Sequence, residues 1–188
     1  MKKQTTQVLQ RSLSKVFPAN QTQVLAEGLF LFLTGILAMV LHSRLRIPMH
    51  LPGKQGLLFM FMVVGASLLS RFRFSTLLVS TGVTTILMSG YGGFYDPFMP
   101  VYYLLLGFVL DLIIGTSSNI SSKSWFIGLA GGLSFSIIPL FKTIISLAIA
   151  VPYPSLLNGV VFPWVTHFIF GFTGSFLAAM AVKTLAEK

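Results

Sequence analysis

Two long apolar runs, residues 125–150 and 160–182, constrain this chain more than any other feature. Each is long enough to cross a bilayer, because a spanning helix needs about 20 apolar residues at ~1.5 Å rise each. The short turn-rich segment between them, with Pro152, Pro154, Asn158 and Gly159, makes the two runs antiparallel neighbours. Each run carries one ionisable side chain well inside it, Lys142 in the first and His167 in the second. Lys142 lies eight residues before Ala150 and His167 seven after Val160, so both sit roughly 10 to 12 Å inside the same membrane face. A charge near the bilayer centre costs at least ~2.5 kcal/mol, and an intramembrane lysine therefore normally faces a cavity, a partner or a substrate. The plainer alternatives are a lysine that snorkels to the interface and a core histidine bonded to a backbone carbonyl.

Composition points the same way. With 54% hydrophobic and 9% charged residues in 188, the chain has too little polar surface for a water-soluble domain of this size. The net charge of +9 invites a nucleic-acid reading, but the basic residues fall in loops and termini, not in a patch interleaved with aromatics. No nucleic-acid partner is expected. The absence of cysteine excludes disulfides and thiolate metal sites.

Apolar runs at residues 24–41, 57–70, 74–89, 99–115, 125–150 and 160–182 predict an all-α integral membrane protein with six transmembrane helices. The second and third are short for full spans, so they extend into their flanks or cross a thinner part of the structure. Six helices put both termini on one side. With the N-terminus cytoplasmic, Lys2, Lys3, Arg11, Lys15, Arg71, Arg73, Lys123, Lys183 and Lys188 lie inside, against Arg44, Arg46 and Lys54 outside; the positive-inside rule favours that arrangement in a cell membrane. Residues 1–20 set Val8, Leu9, Leu13, Val16 and Phe17 among basic residues, which predicts a basic amphipathic segment on the lipid surface, ahead of one six-helix domain over residues 21–188. The first apolar run follows that basic segment as in a signal peptide, but it is long and lacks a small-x-small cleavage site, and it reads as a retained helix.

The first outer loop, residues 42–56, carries Arg44, Arg46, His50, Lys54 and Gln55 around Pro48 and Pro52. On the face that Lys142 and His167 approach, it makes either a lid or funnel for an anionic solute or a solvated loop with interfacial basic residues. The second outer loop offers Tyr91, Tyr95 and Asp96 on a glycine-rich backbone, to stack on a ligand or to join the interfacial aromatic belt. Small residues recur in the helices: Gly28, Thr34, Gly35 and Ala38 in the first, Gly128 and Gly132 in the fifth, Gly171, Gly174 and Ser175 in the sixth. In lipid such positions let helices approach closely, within the fold or against a partner. Pro139 removes a backbone hydrogen bond one turn from Lys142 and predicts a kink there. Asp111 is expected to pair with Arg71, Arg73 or Lys123 at the inner end, and Glu27 to sit with the dipole of the first helix.

Nucleotide-binding, hydrolase and zinc-protease motifs are absent, so the chain has no motor of its own and no enzyme activity is expected. An intramembrane enzyme would need Asp96 or Asp111 within reach of His167. His42, His50 and His167 are too scattered for a metal site, and no metal or cofactor is expected.

Size, six helices, a basic N-terminal segment, small residues along the first helix, a long first outer loop and polar residues clustered toward the outside together make the chain resemble the substrate-binding S components of energy-coupling factor vitamin transporters. That resemblance implies a lid from Arg44 to Gln55. It also implies a coupling surface at Gly28, Thr34, Gly35 and Ala38 for a transmembrane subunit driven by two ATPases. The expected function is capture of a small anionic or aromatic solute by Lys142 and His167. Arg44, Tyr91, Tyr95, Asp96, Tyr102 and Trp164 would shape the pocket, and the His50 loop would close it. The competing class is a membrane scaffold whose buried Lys142 and His167 are structural; a cavity at those residues, as opposed to a tightly packed core, separates the two.

Overall fold

The computed structural model describes residues 21–45, 48, 51–91, 93, 96–116, 123–150, 152–156 and 159–187. These form α1 (Gln21–Arg44), α2 (Gly56–Leu68), α3 (Ser75–Met88), α4 (Met99–Thr116), α5 (Ser124–Phe135), α6 (Ile137–Ile149) and α7 (Val161–Ala186), with a 3-10 turn at Pro154–Leu156. The N-terminal segment at residues 1–20 lies outside the described residues. Helices α5 and α6 are two pieces of one rod, separated by Ser136 alone. Pro139 has no N–H to give the Phe135 carbonyl, and the rod breaks there, with Ser136 Oγ turned back onto the Gly132 carbonyl at 2.7 Å.

Among the described residues four stretches, Gln23–Arg44, Met99–Thr116, Ser124–Ile149 and Val161–Ala186, are long and apolar enough to cross a membrane. The chain is a membrane protein. Helices α2 and α3, at 13 and 14 residues, reach only about 20 Å each, short of a ~30 Å hydrocarbon core, and they do not lengthen into their flanks. They are well buried, contributing Phe59, Met60, Val63, Val64, Val79 and Val83 to the core. Their middles are held in the core, while Leu69, Phe74 and Met88 at their ends are exposed.

The rods close into a ring. Helix α1 packs on α3 and α2, α3 on α4, α4 on the α5–α6 rod, that rod on α7, and α7 on α2. Glycine makes the tightest of these approaches. A Cβ at Gly35 of α1 would strike the Val79 carbonyl of α3, and one at Gly82 of α3 would strike the Phe32 carbonyl of α1. The α5–α7 seam is built likewise, with Gly131 against Ser175 and Gly171 against Phe135. Gly35 and Ala38, expected at a partner surface, are therefore spent inside the fold. Gly28 faces Leu78 and Phe72 of the same chain, and Thr34 bonds back to the Phe30 carbonyl at 2.8 Å. The outward face of α1 is a stripe of Leu25, Leu29, Phe30, Leu33 and Leu37.

The start of α1 and the end of α7 share one end of the ring. There Glu27 accepts hydrogen bonds from Ser70 Oγ at 2.8 Å and from the Arg71 amide, with Arg71 Nε 3.7 Å from its other oxygen. Glu27 thus ties α1 to the α2–α3 turn, a larger role than complementing a helix dipole. Asp111 also departs from expectation. It pairs with none of Arg71, Arg73 or Lys123; its oxygens accept from the Thr76 amide at 3.1 Å and the Leu77 amide at 2.7 Å. These are first-turn amides of α3, whose own cap residue Phe74 makes no side-chain cap. A buried carboxylate from α4 therefore caps α3 from outside, where unpaired N–H groups and the helix dipole favour negative charge. Asp111→Ala would strand both amides in a dry interior, at a cost of about 1–3 kcal/mol. A drop in the melting temperature of the detergent-purified protein, larger than for Gly115→Ala at an open position, is the expected result.

Candidate functional site

At the opposite end, the α1, α4, α5–α6 and α7 rods converge on a cavity of about 150 Å³. Lys142 and His167, matched in depth by sequence, both line it. His42 from the end of α1 and Tyr103 from α4 close one side, and Phe135, Ile138 and Met99 form apolar wall. Leu51, Gly53, Lys54 and Gln55 cover it from the first loop. Among the described residues no group of three His, Cys, Asp or Glu side chains gathers to hold a metal ion.

His167 is held on several sides. Its Nδ1 lies 2.7 Å from the Pro163 carbonyl, which can only accept, so Nδ1 carries the proton. Phe135 stacks on the imidazole with centroids 5.1 Å apart. Gly53 crowds the Nδ1 side so closely that a Cβ there would lie 2.7 Å from that nitrogen. Gly53 also has φ +75°, the left-handed conformation that a Pro-Gly turn requires of its second residue. Loop geometry and ring position thus depend on the same glycine. His42 sits edge-on to Phe59 at 5.7 Å and Tyr103 at 6.5 Å, and Phe59 meets Phe135 at 6.2 Å. An aromatic wall therefore joins the two imidazoles.

Lys142 projects from α6 beneath the 3-10 turn. Its Nζ is 3.9 Å from Asp96 Oδ2 and 5.4 Å from the centre of the Tyr153 ring, within range of a cation–π contact. The 3.9 Å separation is a charge pairing without a hydrogen bond. Asp96 Oδ1 accepts instead from the Phe98 amide at 3.0 Å and the Tyr153 hydroxyl at 3.4 Å. Tyr153 in turn lies 3.1 Å from the Tyr102 hydroxyl. A carboxylate cannot donate, so the relay runs from Tyr102 through Tyr153 to Asp96. Burial raises the Tyr153 phenol above its ordinary pKa, which keeps that donor protonated.

The remaining expected site residues are placed elsewhere. Arg44 and Tyr91 bond to each other on the exposed rim, with Arg44 Nη2 2.9 Å from the Tyr91 hydroxyl, and neither lines the cavity. Trp164 is exposed on α7; with Trp125, at the start of α5 and the other end of the ring, it fits the two interfacial belts of a membrane protein. Tyr102 supports the site through Tyr153. His50 and Tyr95 lie outside the described residues. Asp96 and Asp111 make their bonds away from His167. Sequence reasoning weighed His42 only as a metal ligand and passed over Phe135 and Tyr153. The place of His42 was detectable, since Leu31, Gly35, Ala38 and His42 follow at helical spacing on the inward face of α1.

No known family model, curated protein or solved structure matches this chain.

Tyr153→Phe should remove two weak hydrogen bonds and keep the ring under Lys142, lowering stability by about 1 kcal/mol. Tyr153→Leu removes the ring as well and should cost more. Melting temperatures of both variants in one detergent, compared with the wild type, check that order.

Proposed function

We propose that this membrane protein captures a small anionic solute in the cavity beneath its first loop and passes it across the membrane with separate energising subunits. The single observation that carries this reading is an ammonium group, Lys142, held by a transmembrane helix and lining a cavity whose helical walls are otherwise aromatic, apolar or imidazole, with Lys54 and Gln55 reaching it from the first loop. In such surroundings a charge-assisted hydrogen bond to a carboxylate or phosphate is strong. The cavity also favours capture over a scaffold role, which a close-packed core at Lys142 and His167 would have suited.

The sequence carries no nucleotide-binding motif, and the energising partner in this reading comes from the resemblance to energy-coupling factor S components, which implies ATPase subunits and a transmembrane coupling subunit. With Gly35 and Ala38 committed to the α1–α3 seam, the coupling surface in this reading is the outward apolar stripe of α1. The setting is a cytoplasmic membrane with both termini inside.

Native mass spectrometry of the protein released gently from detergent tests this. A stoichiometric small acid should accompany the wild type and be missing from Lys142→Met, with the variant folded and at least as well inserted. An acid retained equally by the variant would remove Lys142 from the site. A folded wild type with no small molecule but a retained partner protein would favour the scaffold.

A further inference from the structure

The cavity specifies more than negative charge. With its Nδ1 hydrogen committed to the Pro163 carbonyl, the His167 imidazole in its neutral form has one polar function left, the lone pair of Nε2. That nitrogen makes no hydrogen bond to a described residue, and it belongs to a ring that lines the cavity. The ring has little freedom to turn and present another edge, because Phe135 stacks on it and Gly53 crowds it. Phe135 is itself fully buried, with Gly56 so close that a Cβ there would overlap its ring. The helical wall of the cavity therefore presents a donor at Lys142 and, on the neutral ring, an acceptor at His167, with Lys54 and Gln55 on the loop side.

Resting on the capture reading above, we infer that the solute is a small acid that also carries an O–H or N–H donor, its anionic group on Lys142 and its donor on His167 Nε2. Hydroxy acids and lactam acids carry both groups on one small frame. The apolar wall of Ile138, Met99 and Leu51 suits a short carbon skeleton between the two polar groups. Discrimination follows from leaving Nε2 unpaired when the donor is missing, the kind of mismatch that proteins reject far more strongly than a missing methylene.

The test compares acids matched in skeleton and differing in the donor: lactate against propionate, malate against succinate, and pyroglutamate against cyclopentanecarboxylate. Binding to the purified full-length protein in detergent is measured by thermal shift and then by calorimetry. The expected result is that at least one donor-bearing acid binds the wild type about tenfold or more tightly than its partner. In His167→Leu that preference should fall below about threefold, with binding still abolished by Lys142→Met. Equal affinity for both members of every pair that binds overturns the inference, while loss in Lys142→Met leaves the capture reading standing. If no acid of either kind binds and none co-purifies, the capture reading falls and the inference with it. Should His167→Leu fail to fold, the preference of the wild type within each pair decides alone.

Discussion

A charge removed from water must meet a partner or give up its ionised form, and the four acidic residues of this chain show how that constraint organises the fold. Glu187 alone is left at the surface, one turn from Lys183. The other three each join elements distant in sequence. Glu27 holds the α2–α3 turn to α1, Asp111 holds the first turn of α3 to α4, and Asp96 holds α6 and the 3-10 turn to the start of α4. All three are satisfied in part by backbone amides, and among the described residues none has a cation within hydrogen-bonding distance. That economy lets a chain with little polar material fix the relative heights of its helices, since a carboxylate one turn out of register would face hydrocarbon.

The third junction matters most for the site because α6 is otherwise loosely held. Its buried residues are Ile138 and Pro139, both in the first turn after the break, while Leu140, Ile144 and Leu147 face outward. Beyond that turn Phe141 and Ile145 pack on the core only in part, and Asp96 and Tyr153 add a polar anchor at Lys142 between them. The groups that stabilise the ammonium therefore also set the position of the helix that bears it, and the Tyr102–Tyr153–Asp96 relay ties both to α4.

Apolar periodicity made the helical rods legible, and the two lengths called short in sequence, α2 and α3, are short in the structure. The convergence of Lys142 and His167 was legible because a tight turn between two spans converts residue counts into depth. Sequence could not say which way small residues point. Gly35 and Ala38 lie on one face of α1, but whether that face meets α3 or another protein depends on the ring order of the helices. Asp111 was misassigned for a related reason: a search for its partner among side chains overlooks backbone amides, which every helix start exposes and no residue letter records. Tyr153 was hidden by its setting in a proline-rich turn, where local chemistry explains the turn and says nothing of what the side chain reaches.

The looseness of the Lys142–Asp96 pair suits a binding site better than a tight pair would. At 3.9 Å and an effective dielectric near 20, attraction between the charges is worth about 4 kcal/mol, comparable with the several kcal/mol that dehydrating each ion costs. The pair is therefore tolerated and not strongly stabilising. It keeps the ammonium charged and aimed while leaving its hydrogen-bonding capacity unspent on Asp96. An arriving carboxylate at ordinary charge-assisted distance would gain that capacity without breaking a good bond. The excess negative charge it brought would be met by Lys54, which reaches the same cavity from the loop that carries Gly53. Gly53 fits that loop against His167, so the loop that brings Lys54 to the cavity also positions the imidazole.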